Sequence, residues 1–384
     1  MKRMLLFTTL FCFVIAEDEF FEPGYSMGGY GELHYTNSSD PDCEGDDCDA
    51  TTKLDFHRYI LFANYNFTPE WAFKSELEIE HNMIDGSGDY DGEVELEQAY
   101  INYHNANGNW GFGAGVVLIS AGIINETHEP PTFLSVERPV YNSKIIPTTW
   151  FGNGAHIYAS FGDFHTRFVL HEDLEGEGML SFIDTDGDGI DDTLEGWAGG
   201  IRSARGKGYK TTAYSWTKNF SAHYTGIEGL NIGGSYTMND APISDDKNNV
   251  IGMSLMEVHA SYNANNIIGA FEYGTLGLSH KPTEGDPLLE DVNAMGYYMQ
   301  LGYNVASMMG WDNCKLAPWF GMGMYDHDDT DDVGSKSTTQ FGLTWWPTDQ
   351  IAWKVDYTMD MTKAAEGSDD SKLNTLSMGV GYMF

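Results

Sequence analysis

Leu376-Ser-Met-Gly-Val-Gly-Tyr-Met-Phe384 closes the chain, and its reading decides the fold. Apolar or aromatic side chains stand at every second position, Leu376, Met378, Val380, Tyr382 and Phe384, with Ser377, Gly379, Gly381 and Met383 between them. A repeat of two with one greasy face belongs to a half-buried β-strand and not to a helix, whose apolar residues recur every three to four positions. An ordinary soluble sandwich can end on such a strand, so the rest of the chain must choose between a soluble and a membrane-embedded sheet.

The other end points to the membrane. Met1-Lys2-Arg3 is a short basic start, Leu5 to Ile15 is an apolar run broken only by Thr8 and Thr9, and Ala16 precedes Glu17-Asp18-Glu19. This pattern predicts a secretory signal peptide over 1–16, cleaved after Ala16, whose apolar run is too short to span a bilayer. Cys12 lacks the small-residue context of a lipoprotein cleavage site, which argues against a lipid anchor. No later segment offers about twenty consecutive apolar residues. An exported chain without such a segment can still cross a membrane as a closed barrel, because closure satisfies every backbone polar group. A strand ending on an aromatic residue is similar to the last strand of bacterial outer-membrane barrels, where it serves as the assembly signal. Phe384 is therefore expected to engage the barrel-assembly machinery.

Strand-like segments recur along residues 17–384, at 27–36, 53–67, 71–84, 93–104, 110–119, 153–161, 164–171, 212–224, 230–238, 251–263, 266–278, 293–305, 315–325, 336–346, 351–361 and 373–384. That is sixteen, an even number, as bacterial barrels require. The connections alternate. Thr68-Pro-Glu70, Asn105–Asn109, Gly162-Asp163, Thr225–Gly229, Ala264-Asn265, Ser307–Cys314 and Pro347–Gln350 are short. Between them fall 37–52, 85–92, 120–152, 172–211, 239–250, 279–292, 326–335 and 362–372. The expectation is an all-β, sixteen-stranded antiparallel transmembrane β-barrel with short periplasmic turns and long extracellular loops.

The 58 Asp and Glu against 20 Lys and Arg give a net charge of −38, or −40 once Lys2 and Arg3 leave with the signal. Such a chain excludes nucleic acid and anionic surfaces as partners. Outer-membrane lipids and small hydrophilic solutes or ions suit it better. Cys43 and Cys48 flank Glu-Gly-Asp-Asp in one acidic loop and predict a local disulfide, with a metal-binding pair as the alternative; Cys314 is left over.

From Lys53 to Gly162 the chain resembles the phosphate-selective porin O and P family. The runs that carry the resemblance are Leu54-Asp-Phe-His-Arg-Tyr59, Ser75-Glu-Leu-Glu-Ile-Glu-His81, Gly92-Glu-Val-Glu-Leu-Glu-Gln-Ala-Tyr100, Gly122-Ile-Ile-Asn-Glu-Thr-His-Glu-Pro-Pro-Thr-Phe133, Val136-Glu-Arg-Pro139 and Ile145-Ile-Pro-Thr-Thr-Trp150, with a further patch at Gly200-Ile-Arg-Ser-Ala-Arg-Gly-Lys-Gly208. The resemblance implies a sixteen-stranded channel and a homotrimer. Anion selectivity needs clustered Lys and Arg in the lumen. The basic residues near the matching runs are Arg58, Arg138, Lys144, Arg202, Arg205, Lys207 and Lys210, whereas the inward candidates are largely acidic. The sequence thus predicts passive diffusion through a pore that prefers cations or selects weakly. A phosphate- or anion-selective porin is one alternative. A calcium-stabilised surface or structural envelope protein, with the barrel as a mere anchor, is the other.

Three segments carry the candidate sites. Glu76, Glu78 and Glu80, and then Glu93, Glu95 and Glu97, alternate with apolar residues, which puts three carboxylates on one face of each of two consecutive strands. With lipid on the apolar face, all six are expected to line the pore. Neighbours about 7 Å apart repel by roughly 0.6 kcal/mol in bulk water and about 2 kcal/mol at an effective dielectric of 20. Basic partners or mobile cations must therefore offset them, and pairing with adjacent Arg or Lys would make the row a structural wall. The 120–152 segment, stiffened by Pro130, Pro131, Pro139 and Pro147, is the third long connection and is predicted to constrict the pore with Glu126, His128, Glu129, Glu137, Arg138 and Lys144. A metal site from Glu126, His128 and Glu129 is a lesser expectation there. Asp184, Asp186, Asp188, Ile190, Asp192 and Glu195 stand at calcium-loop positions 1, 3, 5, 7, 9 and 12 around Gly189, predicting a structural Ca²⁺ site in the 172–211 loop. Gly24-Tyr-Ser26-Met-Gly28 matches a hydrolase nucleophile pattern but lacks strand–turn–helix context, and no enzyme is expected.

Overall fold

Each strand's alternation, greasy outward and polar or small inward, is satisfied by one closed sheet. The computed structural model describes residues 22–41, 51–82, 92–183, 193–209, 211–244, 246–283, 288–330 and 332–384, with backbone alone at Thr193 and Glu195. The barrel runs β1 (Gly24–Ser39), β2 (Thr51–Asn66), β3 (Trp71–Glu80), β4 (Val94–His104), β5 (Trp110–Leu118), β6 (Phe151–Phe161) and β7 (Phe164–His171). A separate hairpin follows, β8 (Leu180–Ile183) and β9 (Thr193–Trp197). The barrel resumes with β10 (Thr217–Ile227), β11 (Leu230–Ile243), β12 (Asp246–Ala264), β13 (Ile267–Lys281), β14 (Val292–Tyr303), β15 (Lys315–Asp326), β16 (Lys336–Thr348), β17 (Ile351–Thr362) and β18 (Ser371–Met383). Sixteen antiparallel strands close the ring, each beside its chain neighbour, and β18 pairs back onto β1. At the seam the Phe384 N–H donates to the Gly29 carbonyl at 2.9 Å, and the Gly29 N–H donates to the Phe384 carbonyl at 3.0 Å.

Every expected strand has its counterpart. The expected 212–224 strand starts later, at Thr217. The long loop expected at 239–250 is absent: β11 and β12 pair on through Ala241↔Ile251, and only a tight hairpin remains. Its Asn and Asp residues read as loop by composition, yet buried Ala241 and Ile251 prolong the ladder into the interior. Short turns show their chemistry directly. Asn265 and Asn266, at φ 53° and 65°, make the two-residue turn between β12 and β13, with both central residues left-handed. The hairpin β8–β9 is an element the strand patterns did not show. Ser26 lies in β1 opposite Asn64, a plain strand position rather than a nucleophile elbow. Residues 1–16, Cys43, Cys48 and Asp184, Asp186, Asp188, Ile190 and Asp192 lie outside the described residues, as does the Glu195 side chain.

Ile157, Phe220, Val258, Phe271, Leu301, Phe341, Trp353 and Met378 stand exposed on the outer face. At the short-turn rim, Tyr25 meets Tyr65 with ring centroids 4.6 Å apart, and Trp71 meets Tyr103 at 5.0 Å. An outward apolar band edged by aromatic residues is the surface of an integral outer-membrane barrel.

The lumen is not polar all round. Met253, Leu255 and Leu276 of β12 and β13 are buried inward, and the 120–152 segment crosses the barrel interior to cover them. Ile119, Ile124, Phe133, Tyr141, Ile145, Ile146 and Trp150 join those wall residues in one cluster. Each fully buried side chain of this kind contributes about 1.5–3 kcal/mol. Glycines make the seat. A Cβ at Gly381 of β18 would overlap the Pro130 ring, and one at Gly274 of β13 would overlap Tyr141. The small inward row of the terminal strand is thus the footprint of a loop residue packed against it. On β16 and β17, Thr344 donates to the Leu134 carbonyl at 2.6 Å and the Lys354 ammonium to the Ser135 carbonyl at 2.7 Å.

Candidate functional site

Glu76, Glu78 and Glu80 lie on β3, Glu95 and Glu97 on β4, and Glu93 just before β4. Glu78 of β3 is paired with Glu95 of β4, and the register shifts between Glu76 and Leu77, leaving Glu97 as the extra residue of a bulge. The bulge lets Glu97 and Gln98 both reach the interior, where the Gln98 amide donates to Glu76 Oε2. Basic side chains stand against most of these carboxylates. Arg58 of β2 presents Nε to Glu32 at 2.8 Å, Nη1 to Glu78 at 3.1 Å and Nη2 to Glu80 at 3.8 Å. Lys207 reaches Glu93 at 3.1 Å and also contacts Glu95. His128 Nε2 lies 3.4 Å from Glu76 and 3.9 Å from Glu97.

The six residues singled out between 120 and 152 do different things. Glu126 accepts from Ser120 and Arg167 at 2.6 Å each, away from His128. The loop-borne metal set of Glu126, His128 and Glu129 is therefore not assembled. Glu129 Oε2 is buried without a hydrogen-bond partner. Glu137 meets His34 Nδ1 of β1 at 2.7 Å, Arg138 donates to the His128 carbonyl at 3.4 Å, and Lys144 stands over the Tyr325 ring at 5.9 Å.

The 172–211 segment, expected as an extracellular loop, also folds inward on both sides of the β8–β9 hairpin. Asp173, Met179, Ile201 and Ala204 are buried, the last three in the luminal cluster. Met179 and Ile201 are as apolar as the wall they cover, which outweighs an outward course for the flanking backbone. Arg202 donates to the Thr148 carbonyl at 2.9 Å, and Arg205 to the carbonyls of Arg202, at 3.1 Å, and Thr149. Arg138, Arg202 and Arg205 thus donate to backbone carbonyls, with no carboxylate partner among the described residues. Burial, with Arg202 adjoining, lowers the Arg205 pKa to about 10. Burial works against the Lys207 charge, but Glu95 and Glu93 outweigh it and raise its pKa. Burial, aided by Arg138, pushes the His128 pKa down.

A cavity of about 600 Å³ lies between the wall and the two loops. Seven carboxylates line it, Glu32, Glu78, Glu80, Glu93, Glu95, Glu97 and Glu137, against five cations, Arg58, Arg138, Arg202, Arg205 and Lys207. Glu32, Glu78, Glu80, Glu95 and Glu97 sit on β1, β3 and β4 with Glu93 just before β4, Glu137 sits on the crossing loop, and four of the five bases sit on the loops, so the field runs mainly across the passage. Glu32 and His34 escaped the sequence reading because they share a strand, β1, whose alternation is diluted by glycine. Arg202, Arg205 and Lys207 were visible only as a basic patch, without a signal for the side of the barrel they occupy.

No family model matches the chain. An uncharacterised protein of Aquifex aeolicus is 42% identical over 154 residues, which is 40% of this chain and 33% of that protein; the match spans about a third of the relative's length. Among solved structures, an anion-selective porin from Comamonas acidovorans superposes with a TM-score of 0.60 at 10% identity, covering 94% of this chain and 100% of that one. The outer-membrane channel DcaP of Acinetobacter baumannii gives 0.58 at 11% identity, covering 94% and 97%. The trimer form of OmpT, an outer-membrane protein of Vibrio cholerae, gives 0.53 at 12% identity, covering 94% and 99%. The fold is that of outer-membrane porins.

Proposed function

We propose that this chain is an outer-membrane porin through which small hydrophilic solutes or ions diffuse passively, with a cation preference or weak selectivity. The observation that carries the reading is the luminal cavity, where seven carboxylates face five cations. A net acidic lining with opposed charges across the passage admits cations somewhat more readily than anions. The 120–152 loop acts as the constriction, since it crosses the lumen and contributes Glu137 and Arg138 to the cavity. The porin from Comamonas is anion-selective by name, but at 10% identity the comparison speaks to the fold and not to the lining. Assembly as a homotrimer is part of the proposal, supported by the trimer form of the Vibrio barrel. So are export by the 1–16 signal, the Cys43–Cys48 disulfide, insertion by the barrel-assembly machinery through Phe384, and a structural Ca²⁺ at Asp184–Glu195.

Anion or phosphate selectivity, as the family resemblance implies, is the second reading. It is favoured by one observation: Arg138, Arg202 and Arg205 line the cavity without carboxylate partners. Reversal potentials in planar bilayers under a salt gradient decide between the two. A potential of cation sign supports the first reading and a strong chloride or phosphate preference overturns it. A folded barrel that conducts nothing would favour the anchor of an envelope protein.

A further inference from the structure

Where the crossing loop touches the acidic wall, three side chains stand closer to a metal centre than to a hydrogen-bonded cluster. Glu76 and Glu97 are 2% and 1% exposed, and His128 is 3% exposed. Ligand atoms of all three lie within 4.8 Å of one another. The His128 Nε2 distances, 3.4 Å to Glu76 Oε1 and 3.9 Å to Glu97 Oε2, exceed the usual N–H···O range of about 2.7–3.2 Å. The 3.4 Å separation fits two ligands of one ion, since metal–ligand bonds of about 2.1 Å at a tetrahedral angle place neighbouring ligands about 3.4 Å apart, and the 3.9 Å separation would close by about 0.5 Å to match it.

The surroundings orient the three groups toward a common point. His128 Nδ1 faces the Asn125 carbonyl, an acceptor only, at 3.3 Å, which favours a proton on Nδ1 and leaves Nε2 toward the carboxylates. Left alone, the Nε2 lone pair confronts two carboxyl oxygens. The Gln98 amide holds Glu76 Oε2, leaving Oε1 directed at His128. Glu97 Oε2 is buried with no hydrogen-bond partner, a costly state for a carboxylate oxygen unless a cation meets it. Arg58 is engaged with Glu32, Glu78 and Glu80.

We propose that Glu76, Glu97 and His128 bind one divalent first-row transition-metal cation, which staples the crossing loop to the barrel wall. One imidazole nitrogen and two carboxylate oxygens suit Zn²⁺, Mn²⁺, Fe²⁺ or Co²⁺ better than Ca²⁺, which prefers six to eight oxygens. The site is independent of what the pore conducts. A second set on the same wall, Asp55, His57 and His81, has its imidazoles 3.0 and 2.9 Å from the carboxylate, at hydrogen-bond distance with no orphaned atom. It serves as the control.

The full chain in detergent, stripped with chelator and held in millimolar Ca²⁺ to saturate the acidic loop, is titrated calorimetrically with Zn²⁺. One ion per chain is expected. Glu97→Gln and His128→Gln should each weaken binding at least tenfold, and the double variant His57→Gln/His81→Gln should leave it intact. X-ray absorption at the zinc edge of the loaded wild type needs no variant, and a first shell with a single imidazole is expected. No binding by the wild type, binding indifferent to Glu97→Gln and His128→Gln, binding lost in the control variant, or a shell with two imidazoles would each overturn the proposal. Absent binding would mean that the cluster is held by a shared proton instead.

Discussion

Arg58→Gln removes the one cation that answers three carboxylates. The guanidinium is buried, at 7% exposure, and so are two of its partners, Glu32 at 3% and Glu78 at 2%. Breaking a buried pair by deleting one partner costs about 3–5 kcal/mol, because the other charge remains buried without compensation. Glu80 is more exposed and adds less, since water screens it. The variant should therefore unfold from lipid vesicles at lower urea, with a loss of about 3–5 kcal/mol. The same change alters the lining from seven carboxylates against five cations to seven against four, so the reversal potential should move toward cations.

A double variant separates the two arms. In Arg58→Gln/Glu78→Gln the lining becomes six against four, and part of the lost stability should return. Coupling between contacting charges is commonly about 0.5–3 kcal/mol. If Arg58→Gln changes stability by less than about 0.5 kcal/mol, the usual range of an inconsequential substitution, the carboxylates are already neutral and the wall is not held by charge. An unshifted reversal potential would mean that the ions pass elsewhere.

Replacing Glu76, Glu78 and Glu80 together with Gln should move any cation preference toward neutrality; no shift in reversal potential would assign these residues to wall structure alone. Gly381→Val drives a side chain into Pro130 and should loosen the loop by about 1–3 kcal/mol, read as faster proteolytic cleavage within 120–152. Deleting 126–143 should raise single-channel conductance in a barrel that still assembles, and unchanged conductance would place the constriction elsewhere. Binding of Ca²⁺ to Asp184–Glu195, with a dissociation constant on the order of 0.1–1 mM, should protect 172–211 from protease; equal cleavage with chelator, and no heat of binding that Asp184→Ala and Asp188→Ala abolish, would refute it.

The barrel was legible because period-two alternation is a local signal repeated sixteen times, and a two-residue turn needs only its own residues to form, although the one expected at Ala264-Asn265 falls one residue later, at Asn265-Asn266. The alternation of the six glutamates with apolar residues was legible for the same reason. Their partners were not. Arg58 pairs across three strands, Lys207 arrives from a loop more than a hundred residues away, and His128 meets Glu76 and Glu97 rather than its own neighbours Glu126 and Glu129. Local spacing has no term for such encounters. The 239–250 reading failed from the opposite cause: turn-forming Asn and Asp were judged by composition, while burial of Ala241 and Ile251 prolonged the strands. The sequence shows the glycines of the terminal strand only as positions between greasy residues, whereas in the fold Gly381 is the space into which Pro130 packs.

The two halves of the inner wall explain each other. Water filling the whole lumen would wet Met253, Leu255 and Leu276, at a cost of roughly 25 cal/mol for every Å² of apolar surface. The crossing loop removes that cost by laying its own apolar side chains over this half. The opposite half is left to Glu32, Glu78 and Glu95 with their partners Arg58 and Lys207, a polar surface that apolar side chains would not cover favourably. Water and whatever it carries are thereby confined to the strip between the acidic wall and the basic edge of the loops. The hydrophobic effect chooses the side of the barrel on which the passage lies, and the charges then choose what enters it. A substitution that makes the apolar half polar, such as Leu276→Gln, should release the loop and abolish the preference set by the glutamates even though no glutamate is touched. If selectivity survives that change, the loop is held by its polar anchors at Thr344 and Lys354 and not by apolar burial.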